Sequence, residues 1–78
     1  MTAFRHRNKN GEAFVVIATC PGDREPRWLK GAVWTDEQNA DWWSSRENAE
    51  INLAGAQPLP HGTIIEIKII PKGERRPP

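Results

Sequence analysis

The run "AFVVIA", residues 13–18, is apolar at every position, on both parities of a strand. Successive strand side chains point to opposite faces, so such a segment needs cover on both sides and belongs in the middle of a sheet. The demand is severe because only 78 residues are available to supply the cover. A domain of this size buries roughly 60% of the surface its unfolded chain exposes, so its core is thin. With 37% hydrophobic and 27% charged residues the composition is that of a folded domain, not of a disordered chain.

The flanking segments predict how the sheet is built. Asn10-Gly11 is the dipeptide that type I′ turns prefer, which predicts a hairpin between a frayed first strand over 2–8 and a second strand over 12–19. Pro21-Gly22 suits a type II turn within the loop "CPGDREP". Residues 27–34, "RWLKGAVW", alternate as one strand, with Leu29, Gly31 and Val33 on one face and Trp28, Lys30, Ala32 and Trp34 on the other. Residues 63–70, "TIIEIKII", predict the last strand, with Ile65, Ile67 and Ile69 facing the core and Glu66 and Lys68 facing water.

Between these strands lie two patterns of the capping-box type, Thr35-x-x-Gln38 and Ser44-x-x-Glu47. They leave two readings: one helix over 36–53, or a short turn from Asp36 that breaks near Ser44 and restarts. Adjacent serines are poor helix-interior residues and good caps, which favours the second. Gly55 ends the helix, and the tail 72–78, polar and rich in Pro and charge, is expected to be disordered. The expected fold is α+β: a three- to four-stranded, mostly antiparallel sheet with one helix, continuous or broken, packed on one face. The order is β-β-β-α-β, in a single domain over 1–71. A right-handed crossover sets the final strand beside the central one, antiparallel to it. One helix covers one face, so the other is wet, or is covered by a partner or by a second copy.

The tryptophans decide where function is sought. If "DWWSSRENAE" is helical, Trp42 shares a stripe with Ala49 and Leu53 while Trp43 falls off it. Trp28 and Trp34 then point to the uncovered face. An exposed aromatic patch marks an interaction site, so Trp28, Lys30, Trp34 and Trp43 are candidate partner contacts, together with the acids Asp36, Glu37, Asp41 and Glu47. The competing expectation is that the N-terminal strand and the "CPGDREP" loop fold over the rings and bury them. The net charge of +1 hides a separation: residues 36–50 hold five acids and one base, and the remainder holds ten bases and five acids.

Other functional classes find little support. One cysteine, Cys20, permits no intrachain disulfide. The first residues lack the apolar stretch of a signal peptide, and no apolar run is long enough to span a bilayer, so a soluble cytoplasmic protein is expected. His6, His61 and Cys20 match no metal-site spacing and no catalytic motif. A cysteine at a strand end is expected to be a small apolar filler. No catalytic residue, metal or cofactor is expected.

In layout, a short α+β chain with a capped acidic helix, "SSRENAE", after an aromatic strand, residues 12–70 resemble the small accessory proteins of phages and mobile elements, of which anti-CRISPR proteins are the best-known class. The resemblance carries no motif and no residue roles. It implies a mode of action: a rigid domain without catalytic groups that blocks a larger protein or nucleoprotein complex by occupying a surface. Two other readings stand beside it. Trp28, Lys30 and Trp34, with Arg5, Arg7, Lys9, Arg24 and Arg27 near in sequence, suit a stacking platform for single-stranded nucleic acid. A homodimer burying the tryptophan face would remedy the thin core.

Overall fold

The computed structural model describes residues 4–72. The tail expected to be disordered lies outside the described residues apart from Lys72, as do residues 2 and 3 of the expected first strand. The elements are β1 (Ala13–Thr19), β2 (Arg27–Lys30), β3 (Val33–Thr35), a 3-10 turn over Glu37–Asn39, α1 (Arg46–Ala54) and β4 (Ile64–Ile70). The four strands form one antiparallel sheet in the order β3-β2-β1-β4. The apolar run is therefore an interior strand. β4 pairs with it throughout, from Ala13 opposite Ile70 to Thr19 opposite Ile64.

Fold class and element order are as expected, but the three strands before the helix are not the expected three. Residues 4–8 form no strand and join the sheet only through a parallel bridge between Arg5 and Trp42. Their turn is also displaced by one residue. Asn8 donates its N–H to the Glu12 carbonyl and accepts from Gly11 N–H, so Lys9 and Asn10 are the central residues. Gly11, at φ 79°, takes the left-handed position that follows. The Asn8 side chain accepts from the N–H groups of Asn10 and Glu12, which holds Asn10 at negative φ and excludes the type I′ form. The Pro21-Gly22 turn is as expected: Gly22 has φ 84°, and Asp23 N–H bonds the Cys20 carbonyl.

The lost strand is replaced because residues 27–34 fold back on themselves. Gly31 has φ 59°, and Lys30 faces Val33 across a two-residue turn with glycine at its first central position, the II′ arrangement that suits strand twist. A hairpin resets the alternation. Leu29 stands opposite Trp34, so Trp34 lies on the face of Leu29, not on that of Trp28.

The helical region is broken, as the serines suggest, although each cap falls one residue later than its box. Asp36 caps the 3-10 turn by accepting from Asn39 N–H, and Ser45 caps α1 by accepting from Asn48 N–H. Between them residues 41–43 are extended and lie alongside the N-terminal half of β1. Trp43 and Phe14 exchange both backbone hydrogen bonds, at 2.9 and 2.8 Å. On the far side of this segment Trp42 N–H bonds the Phe4 carbonyl and His6 N–H bonds the Trp42 carbonyl.

Extension gives adjacent tryptophans opposite directions, which reverses the helical expectation. Trp43 is the buried one, 6% exposed, in a core with Val16, Leu29 and Ala49; Phe14, Trp34, Leu53 and Ile67 pack against it. Trp42 points to the other side of the sheet. Trp34 also serves the fold: its indole N–H donates to the Gln57 carbonyl at 2.9 Å and ties the loop after α1 to β3.

One side chain holds the 41–43 segment. Asp41, 8% exposed, accepts from Phe4 N–H through Oδ1 and from Gly31 N–H through Oδ2, both at 2.7 Å, while its own N–H bonds the Leu29 carbonyl. Asp41→Ala leaves two backbone donors without their charged acceptor and is expected to cost about 2–3 kcal/mol. Trp43→Ala is expected to cost about 3–5 kcal/mol, enough in a domain of this size to remove the cooperative transition. Urea unfolding followed by circular dichroism measures both.

Candidate binding cleft on the helix-free face

With α1 on the Val16 face, the odd-numbered side chains of β1 turn to the opposite face, where no helix lies among the described residues. The registers set two neighbouring rows there. One runs Thr35, Trp28, Ile17, Glu66. The other runs Arg5, Trp42, Val15, Lys68, since Phe14 opposite Trp43 sets Val15 opposite Trp42. Between them opens a cleft of about 430 Å³ with Val15, 1% exposed, in its floor. Trp28, Trp42, Arg5, Arg7, Lys68 and Glu37 form its walls.

Its cations are held in an unusual way. The Arg5 guanidinium lies 4.4 Å from the centroid of the Trp42 ring and that of Arg7 lies 4.9 Å from it. Stacking of this kind attracts the cation to the ring and fixes its plane, at a gain of about 0.5–1 kcal/mol at an exposed site. Each guanidinium also donates one bond to a backbone carbonyl, Arg5 to Gln38 and Arg7 to Gly11, both at 2.6 Å. Among the described residues neither is paired with a carboxylate; the ion pair present is Arg27 with Asp23. Two positioned guanidiniums thus keep most of their N–H donors for an acceptor entering the cleft. The displaced pKa among the described residues is that of Arg27, raised by its hydrogen bond to Asp23, and it lies outside the cleft.

The expected site residues divide. Trp28 and Lys30 share the helix-free face, both half-buried. Trp34 lies on the helix face and Trp43 in the core, so neither belongs to a patch with Trp28. Asp41 is withdrawn from any contact surface, because both its carboxylate oxygens are bonded within the fold. Asp36 is exposed and accepts from the Asn39 backbone and side chain through one carboxylate oxygen, Oδ1. Glu37 lines the cleft, and Glu47 is exposed in the first turn of α1. The N-terminal segment does fold over the open face, yet it lines a cleft instead of sealing it. Trp42 and Lys68 are not among the expected contacts, and Arg5 and Arg7 are expected only as basic residues of the nucleic-acid reading. The signal for the two arginines is the alternation Arg-His-Arg, which sends two cations to one side of an extended segment.

Chemistry elsewhere is sparse. Cys20 is free and 3% exposed, the small apolar filler of the sequence reading. Among the described residues no three His, Cys, Asp or Glu side chains gather closely enough to hold a metal ion, and no helix is long and apolar enough to cross a membrane. Comparison with protein-family models finds no match, and comparisons with curated proteins and with solved structures find none either.

The four indoles therefore differ in access, and with no tyrosine in the chain emission reports them directly. Trp43→Phe removes the shielded emitter and is expected to raise the acrylamide-quenchable fraction. Trp28→Phe combined with Trp42→Phe should reduce it to what half-buried Trp34 contributes.

Proposed function

We propose that the chain is a small non-enzymatic binding protein that takes an anionic partner in the cleft on its helix-free face, with single-stranded nucleic acid as the ligand the cleft suits best. The observation that carries this is the pair of guanidiniums stacked on Trp42, neither joined to a carboxylate among the described residues, with Trp28 and Lys68 across the cleft. Phosphate oxygens accept from Arg and Lys, and a base finds an aromatic face on Trp28. These are the two elements that single-strand binding combines, and stacking of one base contributes about 1–3 kcal/mol.

The blocking-protein reading draws less support as first drawn, since it needs tryptophans and acids on one surface. Trp28 and Trp34 occupy opposite faces, and Asp41 is used internally. It keeps its force in a narrower form: a domain that occupies a nucleic-acid-bearing site of a larger nucleoprotein complex through this same cleft. A free cysteine and the absence of a disulfide suit a reducing, cytoplasmic setting.

A short oligothymidylate titrated at low salt is expected to quench tryptophan emission. Contacts from Arg5, Arg7 and Lys68 to three phosphates predict that the logarithm of affinity falls with that of salt at a slope of about −2. Trp28→Ala should weaken binding about tenfold or more at an unchanged slope, and Arg5→Ala with Arg7→Ala should flatten the slope. Absence of quenching would overturn the proposal. Equal affinity for inorganic polyphosphate, which has no bases, would show a polyanion site without stacking.

A further inference from the structure

We infer that β4 is a self-pairing edge, and that two copies of the chain join through antiparallel β4 strands into one continuous eight-stranded sheet. Among the described residues no strand lies on the outer side of β4, although it is seven residues long and regular throughout its pairing with β1. Strands at sheet edges present a row of unpaired N–H and C=O groups, and natural edges are usually kept short, bulged, charged or covered. The described hydrogen bond from a side chain to the β4 backbone is a weak one, from Arg46 to the Ile67 carbonyl at 3.5 Å. The strand is also poorly buried for its composition. α1 has nine residues and leaves Ile65 and Ile69 at 43% exposed each on its own face, and Ile64 on the helix-free face is 71% exposed.

What selects a second copy as the occupant is the order of residues. Ile-Ile-Glu-Ile-Lys-Ile-Ile reads the same in both directions about Ile67, except that the two charged positions carry opposite signs. An antiparallel pair centred on Ile67 sets Glu66 against Lys68 of the second copy, and Lys68 against its Glu66. It also sets Ile65 against Ile69 and Ile64 against Ile70, so each exposed isoleucine gains an apolar neighbour across the joint. Opposite charges directly across a strand pair attract and like charges repel. Moving the centre to Glu66 or to Lys68 opposes like charges, and a shift of odd length pairs the helix face of one copy with the helix-free face of the other. The Ile67-centred register is thus the one that satisfies charge and face together. Edge charges ordinarily deter pairing; here their symmetry permits one pairing and rejects its neighbours.

A two-fold axis normal to the sheet relates the copies, so both helices lie on one side and both clefts on the other. The inference does not depend on what the clefts bind. Sedimentation equilibrium over a dilution series tests it in three chains. The unsubstituted protein is expected to show a reversible monomer–dimer equilibrium. Glu66→Lys turns two attractive cross-strand pairs into two repulsive ones and should weaken the dimer about tenfold or more. Glu66→Lys combined with Lys68→Glu restores opposite charges across the joint and should restore the dimer, with circular dichroism verifying that each chain is folded. A monomer at the highest soluble concentration, a dimer indifferent to Glu66→Lys, or a failure of the double exchange to rescue would each overturn the inference.

Discussion

The Asp41 carboxylate is the point at which three separate stretches of the chain are joined. Its two oxygens accept from Phe4 and from Gly31, while its backbone N–H reaches Leu29. A charged acceptor shared between backbone donors is among the stronger hydrogen-bond arrangements available, and here it is shielded from water. With Asp41 pinned, the two residues after it are drawn alongside β1 as an extended segment, and α1 cannot start before Ser45. The direction of Trp42 and Trp43, and with it the division between core and cleft, follows from that restraint. The II′ turn at Gly31 and the position of the Arg5 guanidinium depend on the same group.

The central strand's demand for cover on both faces is met in two different ways. On one side a short helix, Trp43 and the Trp34 latch close a small apolar core. On the other no second α-helix lies among the described residues, and cover comes from Trp28, from Trp42 and from the Arg5 and Arg7 side chains laid over Trp42. Arginine suits that task because its guanidinium stacks on an indole through its face and keeps its N–H edge for a polar acceptor. The residues that shelter Val15 are therefore also the ones that line the cleft. A small chain gains by this double use, since it lacks the length for a separate layer and a separate site.

What could be read ahead of the structure was whatever rests on local chemistry. The interior position of 13–18, the Pro21-Gly22 turn, the break in the helical region and the end of α1 at Gly55 follow from periodicity and turn residues, and the antiparallel docking of β4 follows from the connection those elements leave. The misreadings share a cause. Gly31 reads as a strand residue because one glycine inside an alternating pattern does not reveal whether the chain continues or reverses, and a reversal changes the face of every residue after it, Trp34 included. Residues 41–43 look helical because acids and serines near a cap are helical signals. The bonds that extend them run to Phe4 and Gly31, partners that no local window contains. Arg5 and Arg7 were legible as basic residues near an aromatic strand, but their place over Trp42 required the Asp41 restraint. The fold class survived these errors because the sheet lost one expected strand at its N-terminus and gained one when another divided in two.

The pairing of β1 with β4 has a kinetic consequence. The two strands are the first and last of the sheet, joined from Thr19 opposite Ile64 to Ala13 opposite Ile70, and contacts so distant in sequence require the chain to close a long loop before they contribute anything. The β2–β3 hairpin and α1 form from neighbouring residues and can be present early, whereas the pairing of the isoleucine-rich strand with β1 is expected to come last. Until then one whole side of the most apolar segment in the molecule stands unpaired, and any other strand able to offer backbone hydrogen bonds competes for it. Folding of this domain is thus expected to be slow for its length and limited by the return of its final strand.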